Sequence, residues 1–228
     1  MTASLKVLYE DNHLIAVYKQ AGVLVQGDRS GDVSLLELTK IYLKEKYKKS
    51  GNVFLGLIHR LDRNVSGIVL FAKTSKGASR LSEQFREHTV EKMYHAWVEG
   101  IVERQMGKLV HSLIHHEKSN KVDVTERGYT PATDTDYAEL SYEVITRQAH
   151  CTLLKIRLVT GRHHQIRAQL SHIGHPILGD VKYGASKSFP DGHLALYATE
   201  LHFYPATVAA TDVSGRITIS IPVPQESC

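Results

Sequence analysis

The chain has 228 residues, of which 42% are hydrophobic and 23% charged, and a formal net charge of +4. That length can bury a full core without disulfide or metal staples, and the composition excludes long-range disorder. No apolar run approaches the ~20 residues a membrane-spanning helix needs. The N-terminus carries acidic residues and no uninterrupted apolar core, unlike a secretory signal. A cytoplasmic chain with no membrane partner is the expectation. Its two cysteines, Cys151 and Cys228, give neither a disulfide framework nor a thiolate metal site, and inert thiols are expected.

In chain order, the opening predicts strands over Lys6 to Tyr9 and Leu14 to Lys19, with a turn at Asp11-Asn12. Asp32 or Ser34 can cap a helix running to about Lys49, with Leu35, Leu38 and Tyr42 on one face. Phe54 to Ile58 and Ile68 to Ala72 are apolar runs of the kind buried on both faces of a sheet, and HRLDRNVSG lies between them. A helix follows over roughly Lys76 to His88, then a strand over Lys92 to Glu99. Residues 103–131 are polar and irregular, and read as a surface excursion. Strands return at Thr135–Thr146 and Cys151–Val159; in the second, Leu154, Ile156 and Leu158 point one way and Lys155 and Arg157 the other. Thr160-Gly161 leads into a helix with Ile166, Leu170 and Ile173 inward and Gly174 as its C′ residue. RITISIPVP alternates as a final strand. Many strands and three helices without regular βαβ alternation predict one α+β domain over residues 5–224, its central sheet mainly antiparallel or mixed and flanked by helices and loops.

The positive charge permits an anionic partner without demanding one. Lys40, Lys44, Lys46, Lys48 and Lys49 form one basic group, whose plain reading is a solvated helix face. Arg162, Arg167 and Lys182 form another, seeded with His163, His164, His172 and His175. The loop His59-Arg60-Leu61-Asp62-Arg63-Asn64-Val65-Ser66-Gly67 places Asp62 between strands expected to be buried. A carboxylate there needs a charge partner or it tends to neutralise. Arg167, near the start of the helix after Gly161, is a candidate for that partner. From the loop alone, a turn aspartate with a surface salt bridge is the favoured reading.

Taken together, HRLDRNVSGIVLFAKT, KMYHAWVEG and LVTGRHHQIRAQLSHIGHPILGDVKYG resemble, in order and spacing, the motifs of the RluA family of pseudouridine synthases. LYEDNHLIAVYKQAG, TDTDYAEL and LALYATELHFYP extend the resemblance over nearly the whole chain. It implies isomerisation of uridine in structured ribosomal or transfer RNA: the base leaves C1′ of its ribose, rotates and rejoins through C5. It also implies that Asp62 is the catalytic carboxylate, acting at C1′ or at C2′. Tyr94 would pack against the target base, and Arg167 would be the ionic partner of Asp62. RNA contacts are expected from His59, Arg60, Arg63, Arg162, His163 and Gln165, with Arg60 helping to hold the gap left by a flipped base. An isomerisation needs no cofactor, and none is expected. A monomer without a separate N-terminal RNA-binding domain completes the expectation.

Three positions depart from the family pattern. The usual K-P-x-G reads Lys19-Gln20-Ala21-Gly22, the T-S-G reads Val65-Ser66-Gly67, and a frequent histidine is Tyr197. Two rival readings are a catalytically silent RNA-binding module and a metal-dependent hydrolase using some of the fourteen histidines, among them His111, His115 and His116. Without HExxH or a dense carboxylate–histidine set, the metal spacing is weak.

Overall fold

Ser66–Ala72 is buried at every position, as an apolar run in the interior of a sheet must be. In the computed structural model, which describes residues 5–125, 137–207 and 215–226, this run is strand β4 of eleven. The others are β1 (Val7–Glu10), β2 (Leu14–Lys19), β3 (Gly56–Leu57), β5 (Glu91–Glu99), β6 (Met106–His116), β7 (Lys121–Thr125), β8 (Tyr137–Arg147), β9 (Cys151–Leu158), β10 (Leu196–Phe203) and β11 (Ile217–Ser220). Three α-helices join them: α1 (Leu35–Lys46), α2 (Ser75–Arg86) and α3 (Gln165–His172). The α+β class holds.

The chain divides into two compact units, residues 1–90 with 199–221 and residues 91–198 with 222–228. In the first unit the strand order is β1-β2-β4-β10, with β3 on β4 and β11 on β10. β2 and β4 run antiparallel with Lys19 opposite Gly67, so the end of β2 lies beside the start of β4. Leu14, Ala16, Ile68, Leu70, Leu81, Leu201 and Phe203 form the core beneath α2. Ser34 starts α1 through a capping box with Glu37, which satisfies two backbone N–H groups that the first turn would leave unpaired. The buried face of α1 is Leu35, Thr39 and Leu43, not the expected Leu35, Leu38 and Tyr42. A spacing of four keeps residues on one face about as well as three, and Thr39 fits inside because its hydroxyl donates to Leu35 O at 2.7 Å.

In the second unit the order is β5-β9-β8-β6-β7, antiparallel throughout these pairs. Leu154, Ile156 and Leu158 are buried while Arg157 is exposed, as the alternation requires. Directly opposed residues share a face. Hence Lys92 and Tyr94 of β5 share theirs with Leu158 and Ile156, with Leu140 and Tyr142 of β8, and with Leu109 and His111 of β6. Helix α3 packs on this same face, through Ala168 against Leu113 and Ala138.

The stretch expected as an irregular excursion is largely the β6–β7 hairpin. Its apolar residues are split between two faces, Leu109 and Leu113 inward and Met106, Val110 and Ile114 exposed, which hides the usual signature of a strand. Residues 126–131 of that stretch, with the start of the strand expected at Thr135, lie outside the described residues. Cys151, expected as an inert thiol, is fully buried on β9; Cys228 lies outside the described residues. Among the described residues no helix is long and apolar enough to cross a membrane.

Candidate active site

Asp62 belongs to the first unit, in the loop that enters β4, and is half-buried. Its carbonyl accepts from Val65 N–H at 3.1 Å, which closes a tight turn around Arg63 and Asn64. The next carbonyl, of Arg63, is held twice: Gly22 N–H donates to it at 2.8 Å and Lys19 Nζ at 2.8 Å. Arg63 returns the contact, Nε donating to Gly22 O at 3.0 Å and Nη2 to Asp32 at 2.6 Å. Gly22 makes this clasp at φ +83°, which a residue without Cβ adopts at little cost.

Lys19 is the residue that sequence reasoning passed over. It was legible only as the lysine of an altered motif, at the end of the apolar run Leu14–Lys19. Its side chain is 0% exposed, and its ammonium also donates to Gln20 O at 3.1 Å. Burial pushes its pKa down from 10.5 to about 7, while the negative charge of Asp62 favours the ammonium form. Lys19 and Gly22, which touch the loop, are both present. The missing proline at Gln20 therefore leaves the clasp intact.

Of the other loop residues, Arg60 is exposed. His59 is engaged inside the unit: its Nε2 accepts from Leu70 N–H at 3.0 Å, and its ring stacks on Phe85 of α2 at 5.0 Å.

The second unit carries the remaining candidates. Tyr94 is 7% exposed on β5, on the face shared with α3. Lys92 stands two residues before it, and burial pushes its pKa from 10.5 to about 8. At the start of α3, Gln165 is buried; its Oε1 accepts from Thr160 Oγ1 at 2.8 Å and Arg162 N–H at 3.0 Å, and its Nε2 donates to Glu139 O at 3.0 Å. Gln165 thus ties the turn together from inside. Arg162 and His163 are exposed, with Arg162 Nε donating to Tyr137 O at 3.0 Å. His163 stacks on His164 at 3.8 Å.

His164 holds the left-handed conformation, φ 51°, just before α3. This is uncommon for a residue with a Cβ and is found where surrounding bonds enforce it. Here Nδ1 of His164 pairs with the Tyr183 hydroxyl at 2.9 Å. Arg167 is buried and its guanidinium makes a two-point contact with Asp180, Nε to Oδ2 at 2.6 Å and Nη2 to Oδ1 at 2.9 Å. The Tyr183 ring lies 5.0 Å from the guanidinium carbon. Asp180 and Tyr183 are further site residues that sequence reasoning left without a role. Both lie in quoted blocks, but nothing in their spacing says that they converge on one arginine.

Gly179 fixes the turn that delivers Asp180. It has φ +87°, and an added Cβ would meet the Phe189 ring at 2.6 Å and His193 O at 2.7 Å. Gly179→Ala is therefore expected to destabilise the protein by about 1–3 kcal/mol. Thermal unfolding of the variant against the parent checks this.

A family model described as RNA pseudouridylate synthase matches residues 13–172. The chain is 31% identical to the ribosomal large subunit pseudouridine synthase C of Vibrio cholerae, over 97% of this chain and 66% of that protein. It is 30% identical to the tRNA pseudouridine synthase C of Yersinia pestis, over 93% and 86%. It spans just under two thirds of the ribosomal relatives from Vibrio cholerae and Buchnera aphidicola, at 66% and 63%. Among solved structures, human RNA pseudouridylate synthase domain containing 4 superposes with a TM-score of 0.75 at 21% identity, covering 96% of this chain and 89% of that one. The fold agrees. With the family model matched over most of its length, the chain belongs to the RNA pseudouridylate synthase family.

Proposed function

We propose that the protein isomerises uridine to pseudouridine in ribosomal or transfer RNA, with Asp62 as the catalytic carboxylate. The observation that carries this reading is the clasp on the Asp62 loop, in a chain of this family. The half-buried Asp62 has its own carbonyl and that of Arg63 held by hydrogen bonds, and its carboxylate lies within the field of a buried lysine. Such fixing is what a group needs if it is to meet a ribose carbon in one geometry. Relatives named for ribosomal and for transfer RNA support both substrate classes.

In this reading Asp62 acts on the sugar, and Tyr94 offers its ring to the displaced base. Arg167 serves Asp62 as its cation, since a guanidinium favours the ionised carboxylate. The uridine leaves its stack to reach these groups. Exposed Arg60, Arg63, Arg162 and His163 face the RNA, Arg60 holding the gap left by the base. The cationic ones make affinity fall as salt rises. His59 and Gln165 support the loops that carry these residues. No cofactor is required by the atom balance of the reaction, because one C–N bond breaks, one C–C bond forms, and the proton lost from C5 is matched by one gained at N1. The protein acts as a monomer.

The test is a pseudouridine map of ribosomal and transfer RNA from cells with and without the gene. Discrete positions lost with the gene, and restored in that RNA by the purified protein, are expected. Identical maps, with no new pseudouridine after incubation, would refute the proposal. A second expectation concerns Arg167. Arg167→Lys keeps the charge but loses the planar two-point fork. Pseudouridine formation is expected to fall about 100-fold or more in single-turnover assays.

A further inference from the structure

We infer that Asp180 is a positioning residue for the reaction, acting by fixing the guanidinium of Arg167. The inference rests on the reading of Arg167 given above. An arginine side chain is long and loses much rotamer freedom when it is held in one place. Asp180 removes that freedom: its two oxygens take Nε and Nη2 of Arg167 at 2.6 and 2.9 Å, which sets the plane and direction of the fork. A guanidinium has five N–H donors. Two point at Asp180, so the direction of the others is set by where Asp180 stands.

Asp180 is itself placed by backbone. It is 1% exposed. Its N–H donates to Ile177 O at 3.0 Å, and its carbonyl accepts from Tyr183 N–H at 3.0 Å and Ala185 N–H at 3.1 Å. The positive φ and close packing of Gly179 hold the residue before it.

Tyr183 supports the arrangement from the other side. Its ring lies under the guanidinium. Its hydroxyl accepts from Val122 N–H of β7 at 2.8 Å and pairs with His164 at 2.9 Å. Arg167 is thus gripped at one edge and one face by groups whose own positions are fixed. A buried pair of this kind adds little net stability, whereas the directional constraint it supplies is what a reacting site requires.

The test compares parent, Asp180→Asn, Asp180→Glu and Arg167→Lys. The probes are bulk ribosomal RNA and bulk transfer RNA from cells lacking the gene. Single-turnover pseudouridine formation and RNA affinity are measured, with thermal unfolding alongside. Asp180→Asn is expected to form pseudouridine about 10- to 100-fold more slowly, with RNA affinity within about two-fold of the parent. Asp180→Glu, which keeps a charged fork, is expected to lie between the two. A parent-like rate in Asp180→Asn while Arg167→Lys is slow overturns the inference and leaves the reading of Arg167 standing. A parent-like rate in Arg167→Lys overturns that reading instead, and the inference with it. Rate and affinity falling together would mean a structural role only and would also overturn it. Should Asp180→Asn fail to fold, Asp180→Glu decides. A lowered rate at unchanged affinity supports the inference, and a parent-like rate rejects it.

Discussion

Asp62→Asn is expected to abolish pseudouridine formation, by about 1,000-fold or more, while the protein folds and binds RNA as before. The substitution keeps size and hydrogen-bonding capacity and removes the charge. The turn around Asp62 is made by backbone: Val65 N–H on Asp62 O, and Gly22 N–H with Lys19 Nζ on Arg63 O. None of these bonds uses the carboxylate, so they remain available to hold the turn in the variant. RNA affinity comes chiefly from cationic contacts to phosphate, which the substitution leaves alone. A group that attacks or deprotonates the sugar acts in the transition state, and losing it lowers the rate without weakening substrate binding. Single-turnover assays beside filter binding on the same RNA separate the two quantities.

Lys19→Met should have the next largest effect, in two separable parts. The first is on rate. Without the ammonium, Arg63 O loses one of its two donors and Asp62 loses a neighbouring positive charge, so pseudouridine formation is expected to fall about 10- to 100-fold. The second is on the pH dependence of stability. The folded-state pKa of Lys19, about 7, lies below its ordinary 10.5. Between these values the unfolded chain binds a proton that the folded chain has released. Stability contributed through this group therefore rises with pH across that window, by up to about 1.4 kcal/mol per unit. Below pH 7 both states are protonated and the full cost of burying the ammonium remains. Urea unfolding at pH 7 and pH 9 should show the parent gaining stability relative to Lys19→Met. An equal change in both proteins would contradict the buried charge.

How much of this was legible follows from what each signal measures. Asp62, Tyr94 and Arg167 stand in sequence blocks and can be named before any fold is known. The β9 alternation and the burial of β4 follow from side-chain period alone, and the three helices from caps and spacing. What escaped was long-range. Lys19 meets Arg63 across 44 positions, and no local pattern reports that a lysine at the end of an apolar strand turns inward. Asp180 and Tyr183 meet Arg167 and His164 because a turn at Gly179 directs them there, a property of backbone shape rather than of residue type. The β6–β7 hairpin was missed for a different reason: polar residues and two half-apolar faces blur the period of two. Gln165 and His59, expected among RNA contacts because of the motif they occupy, also make hydrogen bonds inside their units, which no motif announces.

The central claim is that Asp62 drives rejoining of uracil through C5, a step that expels the hydrogen at that carbon. Release of tritium from RNA labelled at C5 of uridine measures it most directly. The wild-type protein is expected to release label from a small, saturable set of uridines in ribosomal or transfer RNA, and Asp62→Asn to release none above background. Absence of release by the wild-type protein from either RNA, or equal release by Asp62→Asn, would contradict the account.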